Sequence, residues 1–280
     1  MNEKLDQKKI SDIVKKSGSS FYWGMNILEP MKKRAMFSVY AFCRIVDDIA
    51  DSEKPNQTKM SELQDWKKKV NLLYNNKSSD FLSRELLFAI SKFKLLKVDF
   101  LSIIDGMKMD IIKEIRYPSN KIINLYCDRV AGAVGCLSMS IFGYHNEKAR
   151  KYACLLGKAF QFTNILRDLK EDSLRNRCYI PLEIINKQNL LKLQPIEIIK
   201  DPRFRKSCNN MIEITMKYYK EADKLSMNFN KKDIKAAVLM RNIYFSVFKK
   251  ISNKKWNINK KVKLSKIEKL IIIFKLLIKG

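Results

Sequence analysis

The chain is poor in the residues that punctuate a backbone, with 8 glycines and 6 prolines in 280 residues. So few turn signals leave little room for many short strands and favour long helices. Strand-like alternation is scarce, whereas apolar residues spaced i, i+3, i+4 recur throughout. The fold class expected is all-α. No CxxC pair occurs among the six cysteines, Cys43, Cys127, Cys136, Cys154, Cys178 and Cys208. That speaks against zinc and a disulfide framework and for a reducing compartment. The N-terminal stretch MNEKLDQKKISDIVKKSG lacks the apolar centre of a signal peptide. No uninterrupted apolar run is long enough to span a bilayer. These absences predict a cytoplasmic protein, soluble or peripheral to the inner face of the membrane.

Acidic residues are also in short supply, 29 against 56 Lys and Arg, for a formal charge of +27. A field of that size draws polyanions. The lysines are scattered over nearly every segment, however, alongside heavy Ile and Asn usage, as solvated lysine faces would be. No zinc finger and no basic–aromatic strand pattern is present, so no nucleic-acid partner is expected.

The periodicity predicts helices over Glu3–Lys16, from Pro30 to Ala50, and over about Lys59–Asn75, Phe81–Leu95 and Val98–Lys113. Ser119 can cap a helix running to Phe142, and Asn146 one running to about Asp172. Two more follow at about Arg203–Ser226 and Lys231–Ser252. There is no repeat of solenoid length, and the helices with chemistry on them come from both halves. One domain over 1–280 is expected. The tail, KVKLSKIEKLIIIFKLLIKG, reads as a basic, apolar helix at about 262–280. It either lies in a membrane interface or packs on the protein's own core.

Two constellations carry chemistry. The apolar stretch FSVYAFCRIVDDIAD (Phe37–Asp51) holds Arg44, Asp47, Asp48 and Asp51, with Asp47 and Asp51 on one helical face. Buried carboxylates need a partner. Two on one face suit Mg²⁺, which fills its remaining shell with phosphate and water. The competing reading is an Arg44–Asp48 salt bridge with the other acids at the surface. In GKAFQFTNILRDLKEDS, Gln161, Asn164, Asp168 and Asp172 fall at i, i+3, i+7 and i+11, a polar stripe between apolar flanks. The stripe is amide and carboxylate only, in a chain where lysine dominates other polar faces. Arg167 beside it can hold a diphosphate oxygen bidentately. Taken together, the stripes point to a metal–diphosphate site in which Mg²⁺ neutralises a departing diphosphate and an apolar cavity shields the allylic cation left behind.

Five blocks, SSFYW (Ser19–Trp23), YAFCRIVDDIAD (Tyr40–Asp51), GMKMD (Gly106–Asp110), YCDRVAGAVG (Tyr126–Gly135) and FQFTNILRDLKEDSLRNRCYIP (Phe160–Pro181), resemble the signature blocks of the squalene/phytoene synthase family in order and spacing. The resemblance runs from about Ser17 to Ile251. It implies a single-domain isoprenoid-synthase fold with a central cavity between two facing aspartate motifs. By the same resemblance Asp47, Asp51, Asp168 and Asp172 are catalytic acids that bind Mg²⁺, several ions per site, with Asp48 and Asn164 also placed near the metal. Ser19, Ser20, Arg44, Gln161, Asn164 and Arg167 are implied to hold diphosphate, and Tyr126 to act at the reacting centre. Tyr40, Val130, Ala131, Gly132, Val134, Gly135, Tyr179 and Tyr244 are implied to line the prenyl channel. Gly132 and Gly135 inside a helix have a second reading, close helix–helix packing.

Within the family, YCDRVAGAVG, LSMSIFG and TNILRD are most similar to the bacterial presqualene diphosphate synthases of hopanoid pathways. These join two farnesyl diphosphates and release one diphosphate. The resemblance implies no NADPH and a product passed to separate squalene-forming enzymes. The sole histidine, His145, matches no catalytic position, which excludes acid–base chemistry through histidine. Alternatives are a phytoene- or dehydrosqualene-type synthase, a complete squalene synthase, and a non-enzymatic assembly factor; both motifs keep their outer aspartates, against the last.

Overall fold

The computed structural model describes residues 3–112, 115–253, 257–258 and 260–279. Among them helices form nearly all regular structure, and a lone parallel bridge between Arg116 and Cys178 replaces any strand. In chain order the helices are α1 (Glu3–Lys16), α2 (Phe21–Asn26), α3 (Pro30–Asp51), α4 (Asn56–Leu73), α5 (Phe81–Phe93), α6 (Lys97–Ile112), α7 (Asn120–Cys127), α8 (Ala133–Phe142), α9 (Glu147–Arg167), α10 (Leu169–Leu174), α11 (Leu182–Asn186), α12 (Pro195–Ile198), α13 (Phe204–Ser226), α14 (Lys235–Ile251) and α15 (Lys266–Lys279). Lys113 and Gly280, at the ends of two expected helices, lie outside the described residues.

The expected caps are in place. Pro30 opens α3, Ser119 Oγ accepts from the Ile122 amide at 3.3 Å, and Asn146 Oδ1 accepts from the Ala149 amide at 2.9 Å. Gly143, at φ 106°, ends α8 where only glycine is unstrained. Two expected helices are interrupted. The helix expected from Ser119 to Phe142 contains a π-turn at Asp128–Gly132 between α7 and α8, a local widening common near functional sites. The helix expected to reach Asp172 stops at Arg167. Asp168 leaves helical geometry (φ −105°, ψ 15°), and α10 starts at Leu169. Its carboxylate is paired with Arg167 and Lys261.

Apolar side chains gather in two large clusters. One lies among α1–α6, α8 and the first half of α9; the other joins α7 and the end of α9 to α10–α14. Val130 and Phe160 pack against both. The α7–α8 run, Asn120–Phe142, is interrupted by Asp128 and Arg129 but is by length and composition apolar enough to cross a bilayer; 56% of its apolar window is buried in the fold. The buried acids are paired: Asp99 with Arg150, Glu85 with Arg34, and Asp6 with Arg84.

Glycines let α9 approach the π-turn and α8 at backbone distance. A Cβ on Gly157 would stand 2.8 Å from the Ala131 carbonyl, and one on Gly135 2.9 Å from the Ala153 carbonyl oxygen. Both contacts are to backbone, so neither can give way by a rotamer change. Gly157→Ala, favourable by about 1 kcal/mol in a free helix, should here lower stability through overpacking of about 1–3 kcal/mol. Thermal unfolding checks this: Tm should fall by several degrees, and a rise would show that α9 has slack.

Candidate active site

Two helices change character along one face. On α3, Met36, Val39, Tyr40 and Cys43 line a cavity of about 270 Å³, and the same face continues to Asp47 and Asp51. On α9, Ala153, Leu156, Gly157 and Phe160 line the same cavity, followed by Gln161 and Asn164 on its wall and then Asp168 at the helix end. α2, the π-turn, α8 and α14 complete the wall, the last through Ala236, Met240 and Tyr244. Four rings gather there: Tyr244 stacks on Phe160 at 4.3 Å, with Phe21 at 5.6 Å from Tyr244 and 6.3 Å from Tyr40. Such faces favour a cation. The shape suits an amphiphile with a long apolar chain and a charged head. A larger recess of about 550 Å³ between α1 and α3 touches none of these residues.

The acidic end is built from three segments. Asp51 is ion-paired with Arg175 at 3.1 Å and Arg177 at 3.2 Å. Asp168 is held by Arg167 at 2.5 Å and Lys261 at 2.8 Å, and Lys261 also meets Glu171 at 3.2 Å. Between them lies Asp110 of α6, which accepts hydrogen bonds from Tyr126 and Tyr179, each at 3.0 Å. The backbone pair Tyr117 N–Cys178 O and Cys178 N–Ile115 O, both 2.9 Å, fixes the segment after α10 against the end of α6. Alternation along that extended stretch puts Arg177 and Tyr179 on one side.

Burial pushes Asp47 up to about 6, helped by the Asp51 charge. Its side chain keeps 45% of its surface, so water screens this effect. Burial raises Asp110 to about 6 despite Arg177 and the two tyrosines. It raises Asp172 to about 7, with the Asp168 charge adding to it. Asp168 goes the other way, since Arg167 and Lys261 outweigh its burial and hold it below the usual carboxylate range. Asp110 feels Asp51 among its neighbours, and Asp47 and Asp172 each feel Asp110. The two motifs therefore share one pool of excess negative charge.

All the donors here are oxygens, and Asn164 Oδ1 is buried without a hydrogen-bond partner. The set fits a hard divalent cation. Among the described residues no three His, Cys, Asp or Glu side chains are close enough to hold an ion by themselves. A cation here would need oxygens from a ligand to complete its shell.

Of the residues singled out in the sequence, Tyr40, Val130, Ala131, Val134, Gly135, Gln161, Asn164 and Tyr244 line the cavity. Ser19 and Ser20 sit in the loop that starts α2, where Ser19 Oγ accepts from the Phe21 amide. Four others lie elsewhere. Gly132 is not on the cavity wall, because it faces Cys154 of α9, whose Sγ would be 3.3 Å from a Cβ there. Tyr126 and Tyr179 are not on it either; they stack on each other at 5.4 Å and turn their hydroxyls to Asp110. Asp48, expected near the metal, forms a 2.5 Å ion pair with Arg44, both about half exposed. This is the salt-bridge alternative for that pair, and Arg44 also reaches Asp47 at 3.3 Å. Asp110, Arg177 and Lys261 were not singled out. Asp110 and Arg177 lay inside blocks already noted, an acid on an apolar helix and a base after the second motif. Lys261 had no local signal.

A family model described as squalene/phytoene synthase matches residues 14–268. The presqualene diphosphate synthase of Sinorhizobium fredii is 38% identical over 231 residues, 82% of each chain. That of Rhodopseudomonas palustris is 37% identical over 257 residues, 91% of this chain and 92% of the relative. The crystal structure of a dehydrosqualene synthase in complex with ligand superposes with a TM-score of 0.87 at 22% identity, covering 99% of this chain and 97% of that one. With its all-helical architecture and isoprenoid-synthase fold, the chain belongs to the squalene/phytoene synthase family.

Proposed function

We propose that the protein joins two farnesyl diphosphates head to head into presqualene diphosphate, with loss of one diphosphate, and works as one domain in the cytoplasm. The observation that carries this is the change from apolar to acidic along the cavity faces of both α3 and α9. It matches an isoprenoid chain with a diphosphate head. The relatives' activity supports the choice of product. Asp47, Asp51, Asn164, Asp168 and Asp172 would hold Mg²⁺ shared with diphosphate, and Mg²⁺ when bound supplies the charge that makes diphosphate a good leaving group. Arg167, Arg177 and Lys261 are free to turn from their carboxylate partners to phosphate oxygens once cations reach the acids. Gln161 can donate to the head group from the cavity wall, and Ser19 and Ser20 close the site from the α1–α2 loop. Phe21, Tyr40, Phe160 and Tyr244 face the allylic cation and exclude water. Asp110, gripped by Tyr126 and Tyr179, braces the gap between the motifs.

Chain length has a structural basis in this reading. Tyr152 and Asn164 both line the cavity, twelve positions apart on α9, or about 18 Å at the helical rise. An extended fifteen-carbon chain fits that depth. Phe142, at the end of α8, also lines the cavity on the side away from the acids.

Incubation with labelled farnesyl diphosphate and Mg²⁺ should give presqualene diphosphate with or without NADPH. Squalene formed only with NADPH would make the protein a complete squalene synthase, and absence of any product would remove the proposal. Asp168→Asn should lower kcat by about 10²–10³. Phe142→Ala should increase use of a twenty-carbon diphosphate relative to farnesyl diphosphate by about tenfold, since each removed methylene contact is worth about 1 kcal/mol or more; an unchanged ratio would place the floor elsewhere.

Metal-free stability should depend on pH in a set direction. Asp110 and Asp172 keep protons to pH 6–7 in the folded state, whereas an unfolded carboxyl loses its proton near 4. The folded form thus binds more protons across this window, and stability falls as pH rises through it. Scanning calorimetry should show a lower Tm at pH 8 than at pH 6, and Mg²⁺ with inorganic diphosphate should raise Tm more at pH 8. Asp172→Asn should flatten the profile; a variant that keeps the full slope would assign it to other groups.

A further inference from the structure

The C-terminal helix α15 is apolar on two opposite faces. Ile272, Ile273 and Leu276 pack on the cluster of Leu239, Met240 and Ile243 on α14, which also takes in Phe160 and Tyr244 of the cavity wall. The inner face of α15 is therefore one layer of side chains from the cavity. Its outer face carries Ile267, Leu270, Ile271 and Phe274, exposed at 70, 52, 48 and 65%. These fall at i, i+3, i+4 and i+7, a continuous stripe. At about 100° per residue, Lys266 and Lys275 stand roughly a quarter turn to either side of it. The helix is secured without any partner on that face: Ser265 Oγ accepts from the Glu268 amide at 3.1 Å, Glu268 Oε2 accepts from the Ser265 amide at 2.8 Å, and Lys250 pairs with Glu268 at 2.6 Å. Glu268 is the one acid on α15.

We infer that the outer face of α15 docks onto an anionic lipid bilayer, with the stripe among the acyl chains and the flanking lysines at the headgroups. Charge complementarity selects this occupant. A second copy of the chain would bring lysines against lysines on a molecule already at +27, whereas anionic headgroups attract each juxtamembrane lysine. Long lysine stems can lie along the apolar boundary while their ammonium groups reach the phosphates. Because the inner face is held by α14, α15 lies along the membrane surface with the protein above it. The cavity wall is then brought next to the bilayer. That the bilayer also supplies the prenyl chains rests on the function proposed above; the docking does not.

Vesicle flotation of the full chain tests this. Vesicles with about 30% phosphatidylglycerol should capture at least about ten times more protein than pure phosphatidylcholine vesicles, and the double variant Leu270→Ser/Phe274→Ser should lose about tenfold or more of that capture. Circular dichroism and Tm of the variant should match the parent, since both side chains are exposed. Three results would overturn the inference: a parent that stays unbound on anionic vesicles, a variant that binds as well as the parent, or light scattering that shows a lipid-free dimer dissolved by the substitutions. Flotation needs no turnover, so vesicle capture without product would count against the proposed reaction and leave the docking standing.

Discussion

Excess negative charge at the edge of an apolar cavity is the constraint on which the rest of the structure depends. Asp47, Asp51, Asp110, Asp168 and Asp172 come from α3, α6 and the α9–α10 junction, and no one of these segments could hold so many carboxylates on its own. Burial and mutual repulsion push three of them towards protonation. Arginine and lysine offset part of this charge, Arg167 and Lys261 on Asp168 and Arg175 and Arg177 on Asp51.

The apolar half of the site depends on close helix packing. Without glycine at 135 and 157, α8 and the π-turn could not approach α9 at backbone distance. The cavity wall made by Val130, Ala131, Val134 and Gly135 would move outwards with them. The residues that keep these helices together are thus also the residues that shape the cavity, and the two readings of the small-residue run are two faces of one arrangement. Gly132 serves only the packing, Gly135 both.

α15 links the interior to the surface. Its inner side chains support Met240 and Tyr244 of the cavity wall, and the connector before it places Lys261 on the second acidic motif. One terminal segment therefore touches both the apolar and the charged ends of the site while presenting an apolar stripe outwards. The sequence left membrane interface and own core as alternatives for this helix; the structure packs one face on α14 and leaves the other exposed.

The sequence by itself determined the helical class, most element positions and the two acidic motifs. These are local properties: helical periodicity, caps such as Ser119 and Asn146, and carboxylates in apolar surroundings can be read within one or two turns of chain. It also determined the family, because five blocks in order are a linear pattern. Only the tertiary structure decided what depends on contacts between distant segments. Asp110 joined the site because α6 and the Arg177–Tyr179 segment meet there. Tyr126 and Tyr179, from α7 and the segment after α10, meet through its carboxylate. Asp168 is paired with Lys261, nearly a hundred residues away. No local window contains such pairings, since chain folding alone brings their charges within reach of one another.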